Sequence, residues 1–398
     1  MTKKQMYGRL AFIAFTFLVV ILVLIFEFTD FSGKSKQDVS TGEELISTPI
    51  VDDVDGTDDN NGNENGNSLP INNDNGLIED TDDELTKEDS EIVMVFAGDI
   101  YMSDYVLNAY NRHGIDGIVS KELKNEIIDA DIAMANQEFA FSRGGTKASD
   151  KQFTFRVDPE YGKAFNEMGL DIVTLANNHS LDYGEEALKD SFLTLDELDI
   201  KYVGAGNNIR EARETKYFDI KNKTIAYLAA SRVIPVTTWN AGENSPGLFT
   251  TYDPSSLIEE IKVAREKSDY VVVYVHWGIE KNTRPEAYQR NMAKQYIDAG
   301  ADLVVGSHPH VLQGIEYYNG KPIVYSLGNF IFYNTINQTA LLKVTLNDQN
   351  EVQLSLLPCF AESAMTKFIN EDKKDEFYNY IESISYDITF KEGMASIE

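Results

Sequence analysis

Apolar and polar positions divide the chain into three textures. Residues 10–26 are apolar apart from Thr16, residues 31–90 show no apolar period, and from Glu91 onward short apolar runs alternate with amphipathic stretches. Five of the runs end in polar residues with chemical potential. They are 92–97 before Gly98-Asp99, 132–135 before Asn136-Gln137-Glu138, 172–176 before Asn177-Asn178-His179, 270–275 before His276-Trp277-Gly278, and 303–305 before Gly306-Ser307-His308-Pro309-His310. Asp131, Asp171, Asp269 and Asp302 introduce four of them. Continuous apolar runs of this length suit strands buried on both faces. Between them, 116–129, 159–168, 184–198, 253–267 and 284–299 carry apolar residues at three- and four-residue spacing, which predicts helices. Strand alternating with helix is an α/β pattern. Hairpins are expected over 217–231, turning at Lys221-Asn222-Lys223, and over 314–327, turning at Asn319-Gly320. Antiparallel strands at 341–346 and 352–357 point to a mixed or second sheet. From Asp372 the pattern predicts a peripheral helix and a frayed end.

The first texture reads as a membrane anchor. At about 1.5 Å per residue the run 10–26 spans roughly 25 Å as a helix, and extending it to residue 29 brings it to bilayer thickness. Lys3, Lys4 and Arg9 precede it, and Glu27 and Asp30 follow. The positive-inside rule leaves residues 1–9 in the cytoplasm and sends the rest outward, giving a single-pass cell-membrane protein with an extracellular C-terminal domain. A cleaved signal peptide is the alternative, but no small-x-small site follows the run. Residues 30–90 read as a disordered acidic linker that spaces a folded domain, 91–360, from the bilayer, with 361–398 as a peripheral C-terminal segment.

Charge narrows the partners. The chain has a formal net charge of -30, and residues 31–90 alone hold 17 acids against three lysines. Such acidity argues against nucleic-acid binding. A polyanionic substrate needs a bound cation or a locally basic groove. The single cysteine, Cys359, excludes an intrachain disulfide, and its apolar surroundings mark it as a small buried hydrophobe. Trp277 and Phe330 read as core, and Ser326 as a residue that shapes a turn.

Ligands of open α/β sheets gather outside the carboxyl ends of the strands. That is where Asp99, Glu138, Asn178, His179, His276, His308 and His310 fall. Of five histidines, only His113, in the loop-like Asn111-Arg112-His113-Gly114, lies elsewhere. Imidazole nitrogen with carboxylate and amide oxygen suits Zn, Mn or Fe, and no Cys joins the set to close a structural zinc site. Glu280 could orient a histidine or bind metal. Gly98, Gly184, Gly278 and Gly306 suggest sharp backbone turns beside a ligand. A Gly-x-Ser-x-Gly elbow is absent.

These blocks carry a family resemblance. Gly98-Asp99, Asn136-x-Glu138, Ala176-Asn177-Asn178-His179-x-x-Asp182-Tyr183-Gly184, His276-Trp277-Gly278-x-Glu280, Gly306-x-His308-Pro309-His310-Val311-x-Gln313 and Ser326-Leu327-Gly328-Asn329-Phe330 resemble the ordered signature of the CapA domain of poly-γ-glutamate capsule synthesis proteins. The resemblance covers roughly residues 92–335. It implies the four-layer αββα sandwich of calcineurin-like metallophosphoesterases. It implies Asp99, Glu138, Asn178, His276, His308 and His310 as ligands of one or two divalent ions, with His179 and Asp182 as catalytic residues. Two positions depart from the phosphoesterase pattern: Tyr101 stands where a histidine is usual, and Glu138 where an aspartate is usual.

The resemblance further implies a role in synthesis, export or anchoring of an anionic capsule polymer, with capsule synthase membrane subunits as partners. Two alternatives remain open on the residues alone. One is an extracellular metallophosphoesterase unrelated to capsule, and the other is a non-catalytic scaffold for a membrane synthase complex.

Overall fold

The computed structural model describes residues 91–149 and 151–397. The expected anchor and acidic linker lie outside the described residues.

Ile92–Ile100 is the axis of the larger sheet. Its apolar residues pair in parallel with Ile132–Gln137, aligning Asp99 with Asn136, and antiparallel with Thr335–Leu346, aligning Ile92 with Leu346. The strand order is Ile388–Lys391, Met394–Ile397, Val352–Glu362, Thr335–Leu346, Ile92–Ile100, Ile132–Gln137, Ile172–Thr174, Lys201–Val203. A second sheet of six strands runs Leu312–Tyr318, Lys321–Leu327, Leu303–Ser307, Tyr270–His276, Lys223–Ser231, Lys216–Ile220. The larger sheet is parallel from Ile92–Ile100 to its Lys201–Val203 edge and antiparallel on the other side, while the smaller is parallel at its centre and antiparallel at both edges. Both expected hairpins form here, and Lys221, Asn222, Asn319 and Gly320 all take positive φ, as tight two-residue turns require.

Alternation along the strands sets the layers. Met94, Phe96, Met134 and Ile172 meet Tyr227, Ala229, Val272, Tyr274 and Val305 in one core between the sheets. The intervening residues Val95, Ala133 and Val173 face outward onto Val106, Leu123, Phe165, Leu188 and Leu195 of the helices Asp104–His113, Lys121–Ile128, Lys163–Met168 and Gly184–Glu197. On the other side Val271, Val273 and Val275 pack against Leu257 and Ile261 of Ser255–Arg265 and Met292 and Tyr296 of Ala287–Ala299. The result is helix, sheet, sheet, helix. Burial on both faces explains why these strands read as unbroken apolar runs.

Three features differ from the sequence expectation. Asp104–His113 is a helix, so His113 ends a helix rather than lying in a loop. The tail does not fray. Lys374–Ile384 buries Phe377, Ile381 and Ile384 in the core between the sheets, and the hairpin Ile388–Lys391/Met394–Ile397 adds to the sheet beside Val352–Glu362. Finally, Gly98 and Gly306 serve close approach rather than turning. A Cβ on Gly98 would lie 1.9 Å from the Gly328 carbonyl oxygen, and one on Gly306 would lie 2.1 Å from that of Tyr325.

The four aspartates that introduce strands have one job. The carboxylates of Asp131, Asp171, Asp269 and Asp302 each accept the backbone N–H of the neighbouring strand, from Val93, Ala133, Thr224 and Val271, at 2.8–2.9 Å. Each returns its own N–H to that same residue's carbonyl. They close the lower end of each parallel ladder, opposite the chemically interesting end. Asp171→Ala should therefore cost about 1–3 kcal/mol by stranding the Ala133 N–H. Asp171→Asn should recover part of the loss, because an amide oxygen still accepts. Chemical denaturation of the purified protein checks both. Equal losses for Ala and Asn would show that acceptor geometry is not the cause.

Candidate metal centre

The upper strand ends converge. Asp99 closes the first strand, its N–H bonded to the Gly328 carbonyl at 2.9 Å. Glu138 follows Ile132–Gln137, held by its N–H on the Ile100 carbonyl at 2.9 Å. Asn177 shapes the next loop. Its amide group donates to Asn136 Oδ1 at 3.0 Å and the Gln137 carbonyl at 2.7 Å, while its Oδ1 accepts the His179 N–H at 3.0 Å. This presents Asn178 and His179 to the site. His276 ends its strand, and His308 and His310 follow Leu303–Ser307 with φ of 98° and 57°. Positive φ at two consecutive imidazole positions is strained backbone, of the kind found at ligand clamps.

The donors form two groups that share one carboxylate. Glu138, His276 and His308 bring ligand atoms within 4.8 Å of one another, and so do Asp99, Glu138 and His310. Asn178 joins the first group, its Oδ1 2.8 Å from His276 Nε2. Surrounding residues orient the rings. His276 Nδ1 lies 2.9 Å from Ser307 Oγ, which leaves Nε2 to face Asn178, and His310 Nδ1 lies 2.7 Å from Asn329 Oδ1. Asn136 donates to Asp99 Oδ1 at 2.8 Å. Asn329 arrives because the chain leaves one sheet at Leu327, turns at Gly328 (φ 66°), and pairs with the first strand of the other.

These residues fit a divalent cation. Both oxygens of Glu138 and Nδ1 of His308 are buried without a hydrogen-bond partner, and Asp99, Glu138 and His276 are wholly inaccessible. Orphaned polar atoms cost about 1–3 kcal/mol each, more when charged. Titration tells the same story. Burial first, and then Asp99, pushes the Glu138 carboxyl well above its ordinary range. Burial, reinforced by the neighbouring histidines, depresses His276 well below its usual value and lowers His308 to about 3. His310 goes the other way. Burial opposes its charge, but Glu138 and Asp99 prevail and raise it to about 9. Glu138 and His310 are thus the groups that favour holding a proton when no cation compensates the site.

His179 stands apart from both donor groups. Its Nδ1 is 2.7 Å from Asp182 Oδ2 and 2.9 Å from Lys151 Nζ, while Lys151 donates to Asp182 Oδ1 at 2.6 Å and to the Asn178 carbonyl. Asp182 also accepts the Phe155 N–H at 2.6 Å. Nδ1–H donation to the carboxylate leaves Nε2 as the free nitrogen. Phe155 stacks on the imidazole at 4.0 Å, and Tyr101 stacks on the far face of Phe155 at the same distance. Tyr101 thus occupies the place of a histidine with an aromatic prop. Burial lowers both His179 and Lys151.

Other candidates resolve plainly. Glu280 is exposed and belongs to neither donor group, and exposed His113 is remote in the fold's helical layer. Trp277, Phe330 and Cys359 are buried core, and Ser326 accepts the Gly328 N–H at 3.1 Å to shape the turn. Sequence reasoning missed Lys151, Phe155 and Ser307. Nothing marks Lys151 in its polar surroundings; Ser307 was legible only as the residue paired with His276 across parallel strands.

The family model described as bacterial capsule synthesis protein PGA_cap matches residues 93–334. The capsule biosynthesis protein CapA of Bacillus anthracis is 33% identical over 285 residues, covering 68% of each chain. The PGA biosynthesis protein CapA of Bacillus subtilis is 32% identical over 292 residues, covering 72% of this chain and 76% of that one. Among solved structures, a phosphatase from Mycoplasma pneumoniae superposes with TM-score 0.45 at 12% identity, covering 68% of this chain and 94% of its own. With most of its folded part matched, the chain belongs to the CapA family of bacterial capsule synthesis proteins.

Proposed function

We propose that this protein takes part in synthesis, export or anchoring of a capsule polymer, poly-γ-glutamate, through a metal-binding site of the calcineurin-like phosphoesterase type. The proposal places the folded domain outside the cell on its 10–29 anchor, beside the capsule synthase membrane subunits. Family membership supports the capsule role. The observation that carries the site is Glu138, a fully buried carboxylate with both oxygens unpartnered and common to two donor groups. Asp99, Glu138 and His310 would hold one divalent ion, and Glu138, Asn178, His276 and His308 a second. Bound there, Mn, Zn or Fe supplies Lewis acidity and lowers the pKa of a water ligand. Asp182, accepting from Nδ1–H while Lys151 fixes the carboxylate, would leave Nε2 free to take up a proton and, as the imidazolium, pass it to a leaving group. The rival of a metal-free scaffold is disfavoured by the orphaned donors, which a scaffold would gain stability by replacing.

Purified, reconstituted full-length protein should contain Zn, Mn or Fe by elemental analysis, and the ion should raise its melting temperature. Glu138→Gln should remove metal from both groups, whereas His308→Ala and His310→Ala should each deplete one. His113→Ala serves as the control and should change nothing. Protein without metal after reconstitution would refute the site.

His179→Ala should keep its metal while any hydrolytic turnover falls by about 10²–10⁴-fold. Loss of metal in that variant would make His179 a ligand instead. Deleting the gene and assaying surface polyglutamate tests the cellular role, and an unchanged capsule would count against it.

A further inference from the structure

A cleft of about 240 Å³ opens directly from the metal centre, because His310 and Asn329 form part of its wall. The rest of the wall includes Lys281, Tyr333, Asn337 and Gln338, and it contains no aspartate or glutamate. A larger groove of about 1050 Å³, at the C-terminal helix, shows the contrast. Glu126, Glu371, Asp375, Glu382 and Glu392 line it, and its Lys374 is neutralised by Glu371 at 2.7 Å.

The cleft's polar groups are presented, not consumed. Lys281 is exposed, takes φ of 62°, and donates its backbone N–H to the Pro309 carbonyl at 2.8 Å, which ties it to the loop carrying both histidines. Among the described residues its ammonium has no ion-pair partner. Asn337 and Gln338 lie within the register shift between Ile336 and Thr339, where the strand leaves its ladder and both side chains are exposed. Bulges of this kind re-aim side chains beside functional sites. Tyr333 follows Phe332, whose ring lies 5.1 Å from that of His310. One free cation, two amides and a phenol thus border the metal site on an acid-free wall.

We propose that this cleft is a substrate subsite that receives a carboxylate of an extended polyanion while a neighbouring segment lies at the metal centre, with Lys281 as the residue that selects for anionic chains. The inference rests on the capsule-polymer reading above. It gives a strongly acidic protein a wall free of carboxylates on which a polymer of like charge can settle.

The test is binding of a fluorescently labelled γ-linked oligoglutamate to metal-loaded full-length protein in detergent, followed by anisotropy at low and high salt. Lys281→Glu should weaken binding by roughly tenfold and Lys281→Gln by about two- to fivefold, with both differences shrinking at high salt. Lys374→Glu, in the acidic groove, should leave binding unchanged. Unaltered melting temperatures establish that the variants are folded. Undiminished binding by Lys281→Glu, or an equal loss in Lys374→Glu, would overturn the subsite. If the wild type binds inorganic phosphate in a Lys281-dependent manner but no oligoglutamate, the polymer reading fails and the anion subsite stands. Binding of neither removes the subsite, whatever the metal analysis gives.

Discussion

Two carboxylates, Asp99 and Glu138, are buried without solvent at the junction of two sheets, and the surrounding structure answers that charge. Asn136 donates to one, two groups of imidazoles face both, and His310 holds a proton against the cost of burial. These partners come from three strand ends, with His308 and His310 sharing one. A buried carboxylate without compensation is costly enough that the sheet geometry and the donor set depend on each other. The close crossings at Gly98 and Gly306 belong to the same constraint, because a β-carbon at either place would push the sheet ends apart.

Much of this was legible in the chain, and the reasons are specific. Strands buried on both faces write themselves as continuous apolar runs, so the polar residues that end them stand out. Glu138, Asn178 and His276 were found in that way. The aspartates at the opposite ends were visible as a repeated feature, but their role was hidden, since the partner N–H of each lies on another strand 31–45 residues away. Asp104–His113 escaped because only Val106 and Tyr110 are buried. The C-terminal hairpin escaped because its strands, Ile388–Lys391 and Met394–Ile397, have only four residues each, too short to show a period.

Lys151 and Lys281 illustrate a different limit. Both lie in irregular segments, and each gains its significance from neighbours far along the chain, Asp182 for one and Pro309 for the other. A lysine in a polar loop carries no local signature of such contacts. Tyr101 is likewise readable as a departure from the resembled phosphoesterase pattern, while its place in a three-ring stack with Phe155 and His179 depends on packing.

The donor residues are spread from Asp99 to His310, and Asn329 must cross between sheets to orient the last of them. No short stretch of the chain holds a complete ligand set. An unfolded or half-made polypeptide therefore has little means to sequester an ion, and cation capture has to follow closure of both sheets. A metal held there would then be selected by what is available in the compartment where folding finishes, rather than by the supply at the ribosome.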